Sequence, residues 1–140
     1  MKEVLKDLNL IDLISEKHIV LRRAVEERWA ETMTDQISHT EAMLLAKLSM
    51  GRISLAEVAR QANISRQAMS KCAKQLEQQG YLTFETLEGS KGKYARLTNK
   101  GEAYCEKSKA LKMGIEEEIA SKIGEQAVGF LKELLKKNWL

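Results

Sequence analysis

Two short amphipathic segments that meet at Asn63 constrain the fold of this chain more than any other feature. "SLAEVARQA", from Ser54, and "SRQAMSKCAKQLEQQG", from Ser65, each open on a serine that can cap a helix. Ala59 is small enough for two helix backbones to approach, and Asn63 tolerates the left-handed conformation of a tight turn. The inward positions then carry apolar residues, which is the pattern of a helix-turn-helix: Val58, Ala62, Ile64, Met69 and Cys72.

Further helices are predicted on the N-terminal side. Apolar residues recur at helical spacing from about Ile11 to Met33, and "SHTE" is a capping box that opens a helix running to about Met50. The Ser54 segment repeats that box, with Glu57 three residues after the serine. The serines therefore mark where the predicted helices start.

After Gly80 the pattern changes to strands. "YLTFETL" and "KYARLT" alternate apolar and polar residues around the turn "EGSKG", which predicts a β-hairpin. Thr98 is expected to cap a helix from Asn99 to about Met113, with Gly114 ending it and a last helix following.

The predicted fold class is therefore mainly α with a small β-hairpin wing. A winged helix-turn-helix is flanked by N- and C-terminal helices. We expect an N-terminal dimerisation region at 1–36, a DNA-binding domain at 37–100 and C-terminal dimerisation helices at 101–140. The N- and C-terminal helices each carry a stripe of apolar side chains, which a lone winged helix could not fully cover. This predicts a homodimer. The residues expected in its interface are Ile14, Leu21, Val25, Ile119, Ile123 and Leu134.

Positive charge is concentrated in the middle of the chain. The net charge is +3, but residues 60–100 hold eight basic and three acidic side chains, the footprint expected of a polyanion-binding surface. The second helix of the motif has no acidic residue before Glu77. Arg, Gln and Ser can bond base edges and Lys can bond phosphates, so the predicted DNA contacts on this helix are Ser65, Arg66, Gln67, Ser70, Lys71 and Lys74.

The hairpin would be the wing of this domain. Lys91 and Lys93 lie at or beside its tip, where they suit contact with the phosphate backbone or the minor groove of double-stranded DNA.

The chain resembles the MarR family of bacterial transcription regulators. The resemblance rests on "ISHTEAMLLAKL", "SLAEVARQANISRQAMSKCAKQLEQQGYLTF" and "RLTNKG", and the order of elements agrees over nearly the whole chain. It implies that the terminal helices of two subunits interlock. One departure is in the wing, where Gly89 and Lys91 replace the family's usual Asp-x-Arg, so a less rigid tip is expected.

Other chemistry is not indicated. The two histidines lack metal-ligand spacing, no enzymatic motif occurs, and neither a metal nor a cofactor is expected. Cys72 is expected to pack in the core, as is Cys105, for which a reactive thiol is the alternative. The N-terminus does not read as a signal peptide and no membrane-spanning run is present, so a cytoplasmic location is expected.

The leading hypothesis is a homodimeric, sequence-specific transcriptional regulator, expected to be a repressor, that binds a pseudo-palindromic site. The resemblance implies release by a small-molecule effector. For Trp29, Met33, Met43 and Met113, lining of the effector pocket and packing in an apolar core are equally good explanations. The alternative is a winged-helix module whose basic face binds an acidic protein partner.

Overall fold

A computed structural model of the chain describes residues 7–89 and 91–140. Within these described residues, six helices and two strands follow in the order predicted. They are α1 (Leu10–Thr32), α2 (His39–Met50), α3 (Leu55–Ala62), α4 (Arg66–Gln78), β1 (Leu82–Glu85), β2 (Tyr94–Leu97), α5 (Asn99–Ile123) and α6 (Glu125–Lys136).

The predicted winged-helix fold class is confirmed. The strands form an antiparallel pair in which Leu82 faces Leu97 and Glu85 faces Tyr94. The loop between them spans 86–93, so it is longer than the five-residue turn expected, because pairing already ends at Glu85 and Tyr94.

The chain divides into two compact units. The winged-helix unit is Asp35–Ser108, and the terminal-helix unit consists of the described residues 7–34 together with Lys109–Leu140. Fully buried side chains of the winged-helix unit come from α2, α3, α4 and the start of β1, and they include Leu44, Leu45, Val58, Met69, Leu76 and Leu82. These residues form the hydrophobic core that holds α4 in place.

The helix starts follow the predicted caps. Ser38 and Glu41 form the complete capping box, with Ser38 Oγ accepting from the Glu41 N–H and the Glu41 carboxylate accepting from the Ser38 N–H. Ser54 accepts from the N–H of Glu57 at 3.1 Å. The second half of a box at Ser54 is not formed, because the Glu57 carboxylate accepts from Arg60 and Gln61 instead.

The prediction that Gly114 ends a helix is wrong. The helix α5 continues through Gly114 to Ile123, and the break comes at Gly124, whose φ is +98°. A glycine whose backbone stays helical costs a helix about 1 kcal/mol but does not end it. The positive φ at Gly124 is what turns the chain out of the helix.

Gly101 has a packing role that its neighbours in "LTNKG" do not share. A Cβ at this position would lie 2.1 Å from the carbonyl oxygen of Tyr81, which is backbone and cannot move aside cheaply. Any other residue would therefore push α5 away from the segment that links α4 to β1.

Replacing Gly101 by Ala should destabilise the protein by about 3 kcal/mol or more, because the added methyl group overlaps the Tyr81 carbonyl. Gly114→Ala is the matched control on the same helix, since a Cβ there meets nothing within 4 Å. That control should stabilise by about 1 kcal/mol. Urea unfolding followed by circular dichroism measures both, and equal effects of the two variants would contradict the close approach.

Candidate nucleic-acid interface

The turn before α4 has the predicted left-handed residue. Asn63 has φ 56° and ψ 45°, and among the described residues no other non-glycine has a positive φ. Its N–H donates to Arg60 O at 3.2 Å, and the next N–H, of Ile64, donates to Ala59 O at 3.0 Å. The turn thus satisfies the last carbonyls of α3 and sends the chain directly into α4.

Ser65 caps α4, because its Oγ accepts from the N–H of Ala68 at 3.0 Å. The helix then separates two faces. Its buried face is Met69, Cys72, Ala73 and Leu76. On the opposite face lie five of the six predicted contacts of this helix: Arg66, Gln67, Lys71 and Lys74 are exposed, and Ser70 is half-buried. The sixth, Ser65, is exposed before the first turn, and its hydroxyl oxygen is used by the cap.

The cations of the exposed face of α4 are not neutralised by ion pairs within the described residues. Within residues 7–89 and 91–140, no carboxylate lies within ion-pair distance of Arg66, Lys71 or Lys74. Two other carboxylates of the unit are engaged by arginines. Hydrogen bonds from Arg60 and then Gln61 lower the pKa of Glu57 to about 2, and Arg52 pairs with Glu85 at 3.0 Å.

The start of β2, at the base of the wing, is bonded to the start of α3, the first helix of the motif. The N–H of Leu55 donates to the Lys93 carbonyl at 2.9 Å, and Ser54 pairs with Tyr94 as an isolated bridge. Lys91 and Lys93 are both exposed, as predicted contacts must be. The expected loss of rigidity at the wing tip stays a prediction, since Ser90 lies outside the described residues.

For two basic residues in the range 60–100, Arg96 and Lys100, the structure differs from what the sequence predicted. Arg96 was not among the predicted contacts, and it is exposed on β2, as the alternation of "KYARLT" indicates. Lys100 counts toward the basic stretch in sequence, but its ammonium donates to the carbonyl of Gln79 at 2.7 Å.

A polar cluster behind α4 was missed by the sequence reasoning. The phenol of Tyr81 donates to Asp35 at 2.6 Å, and Lys107 Nζ lies 3.6 Å from the other oxygen of the same carboxylate. The Asp35 side chain is only 10% exposed, and Tyr104 packs edge-on against the Tyr81 ring with centroids 6.0 Å apart. Asp35 and Tyr81 are 46 positions apart, so no local pattern relates them.

The cluster shifts its own acid–base equilibria. The hydrogen bond from Tyr81, helped by the charge of Lys107, holds the pKa of Asp35 below its ordinary value of 3.8. Burial, followed by the bond to Asp35, raises the pKa of the Tyr81 phenol. Asp35 is therefore an ionised acceptor at neutral pH, and Tyr81 is the neutral donor.

The other residues singled out in the sequence occupy unremarkable positions. Cys72 is buried, and that burial raises the pKa of its thiol to about 11. Cys105 is half-buried, with its thiol 3.5 Å from the Leu45 carbonyl. Across the described parts of the chain there is no group of three or more metal-ligating side chains, and no helix there is long and apolar enough to cross a membrane.

Comparison with known proteins supports the resemblance. Residues 35–91 match the model of the MarR family, so the resemblance predicted from the sequence is confirmed. No curated protein matches the chain.

Several solved structures share the fold. The MarR family protein Rv2887 of Mycobacterium tuberculosis, in complex with DNA, is 24% identical over 93% of this chain and 97% of its own, with a TM-score of 0.73. The same protein in complex with salicylic acid has a TM-score of 0.71 at 24% identity, covering 93% of this chain and 96% of its own. Apo MarR from E. coli is 20% identical over 92% and 96% of the two chains, with a TM-score of 0.74.

Replacing Asp35 by Asn should destabilise the protein at neutral pH, and this difference should disappear in acid. A carboxyl whose folded pKa lies below its unfolded value stabilises the fold above the unfolded pKa. That contribution is lost as the pH falls through the folded pKa, here below 3.8. Urea unfolding of both proteins between about pH 7 and pH 3 tests this. A separation that stays constant over the whole range would show that the charge of Asp35 is not involved.

Proposed function

We propose that this protein is a sequence-specific DNA-binding transcription regulator that acts as a homodimeric repressor in the cytoplasm. The observation that carries the proposal is the exposed face of α4. It has three cations without an ionic partner among the described residues, a glutamine beside them and no carboxylate before Glu77. A face of one sign is costly for a merely solvated helix but suits a polyanion.

The two ends of that face have different roles in the proposal. Arg66, Gln67 and Ser70 lie in the first turns, the part of such a helix that reaches base edges in the major groove. Arg suits guanine and Gln suits adenine, because each can form two hydrogen bonds to one base. Lys71 and Lys74 lie further along and bind phosphates, as do Lys91 and Lys93 of the wing.

A second copy of the chain is the proposed partner of the terminal-helix unit. Of the residues predicted to dimerise, Ile14 and Leu21 are 40% exposed and Ile123 is 52% exposed. Val25, Ile119 and Leu134 are half-buried. Exposed apolar side chains continue along α6 at Phe130, Leu131 and Leu135. Apolar faces of this extent mark an association surface, and a two-fold dimer would match a pseudo-palindromic DNA site.

A small aromatic acid is the effector that the comparisons favour, because a structurally similar protein was solved with salicylic acid. Of the side chains suggested for its pocket, Trp29, Met33 and Met43 are half-buried and Met113 is exposed. In this proposal the effector changes the spacing of the two recognition helices, which must reach successive major grooves about 34 Å apart.

The protein should be a dimer at low micromolar concentration, and its melting temperature should rise with protein concentration. The reason is that folding of the terminal helices then includes burial of their apolar faces against a second copy. Light scattering gives the mass. A monomer that melts cooperatively at a concentration-independent temperature would contradict the prediction.

Gln67→Ala should cost about 1–3 kcal/mol on the selected DNA site, with little change on random duplex DNA. Arg66→Ala should behave alike, with some general loss from the missing charge. Lys74→Ala is the matched control, since it should weaken binding to both duplexes and lower the salt slope by about one. All three side chains are exposed, so folding should survive.

These effects are measured by titrating each variant with two DNA duplexes, a site selected from a random pool and its scrambled form. Each titration is run at two salt concentrations. An unchanged ratio of the two affinities in both Gln67→Ala and Arg66→Ala would mean that α4 does not read bases. The basic face would then be assigned to an acidic protein partner.

A further inference from the structure

Thr98, between β2 and α5, and Lys100, in the first turn of α5, bond three successive carbonyls after the end of α4. Thr98 Oγ1 donates to Gly80 O at 2.5 Å, and the Thr98 N–H donates to Tyr81 O at 3.1 Å. Lys100 Nζ donates to Gln79 O at 2.7 Å. The carbonyls that directly follow the recognition helix are therefore all held by side-chain or backbone donors of these two residues.

Lys100 is held on a second side as well. Its ammonium lies 4.4 Å from the centroid of the Tyr81 ring, which is close enough for a cation–π interaction. The ring cannot easily move aside, because its hydroxyl is bonded to Asp35 and it makes a T-shaped contact with the ring of Tyr104. A cation at the carboxyl end of a helix also interacts favourably with the helix dipole.

We propose that Lys100 is a positioning residue for DNA binding, which fixes the carboxyl end of α4 instead of contacting phosphate. The inference rests on the proposed function. A 13-residue helix is about 20 Å long, so a small tilt about its held end displaces Arg66 and Gln67 by ångströms. Base reading depends on hydrogen-bond geometry and is lost by such a displacement, whereas phosphate contact is more tolerant.

Lys100→Met tests the proposal, because it keeps the apolar stem and removes the ammonium. Lys100→Arg keeps a donor and a cation that can lie on an aromatic ring. Lys74→Met is the matched control, since it removes one charge from the exposed face of α4. Each variant is titrated with the selected site and its scrambled form over a range of salt concentrations. The titrations are run at a temperature where circular dichroism shows every variant fully folded.

We expect Lys100→Met to lose about tenfold in affinity for the selected site and less than about twofold for the scrambled duplex. Its salt slope should match the wild type, and Lys100→Arg should restore most of the affinity. Lys74→Met should weaken both duplexes alike and lower the slope by about one.

Three results would overturn the proposal, and they can be told apart. A salt slope lowered by about one in Lys100→Met would make Lys100 a phosphate contact. Unchanged affinity in a variant that only melts earlier would make its role purely structural. A wild-type protein that prefers no duplex from the random pool would refute the proposed function itself, and the positioning role with it.

Discussion

The passage of the α5 backbone beside the Tyr81 carbonyl is the constraint on which the winged-helix unit depends. Only a glycine at position 101 leaves room for it, since a Cβ would lie 2.1 Å from that oxygen. The same oxygen accepts from the Thr98 N–H, so the end of α4, the second strand of the wing and the start of α5 meet around one carbonyl. Their mutual orientation then follows from hydrogen bonds of fixed length and a contact that allows no looser packing.

The other end of α4 lies away from this junction and is exposed at Arg66 and Gln67. Apolar residues of one face are fully buried, while the opposite face carries its cations and amides into solvent. Elsewhere in the unit, the Glu57 carboxylate accepts from Arg60 and the Glu85 carboxylate pairs with Arg52. The exposed face of α4 thus presents Arg66, Lys71 and Lys74 without an ion-pair partner among the described residues.

The terminal-helix unit differs from the winged-helix unit in how few of its described apolar side chains are buried. Among its described apolar side chains only Ile115 is buried, while residues of α1 and α6 remain open. Arg28 pairs with Glu118, and Lys132 lies 3.2 Å from Glu116, so polar contacts set its helix spacing. Exposed ion pairs contribute little stability, so in the proposed dimer the apolar faces would be the main source of free energy.

The sequence by itself determined the features that depend on a few neighbouring residues. Serine caps, the left-handed turn at Asn63, the alternation of the two strands and the basic face of α4 were all predicted, because each is set by chemistry within about four positions along the chain. The roles of the predicted contacts and of the dimer residues stay predictions. The tertiary structure alone decided that Gly124 and not Gly114 ends the helix, that Glu57 turns to Arg60, and that Asp35 meets Tyr81. It also showed that Lys100, counted in the sequence as part of a basic stretch, donates to the Gln79 carbonyl at the end of α4. Such outcomes depend on which partner lies closest in space, and residues far apart in sequence become neighbours only when the chain has folded.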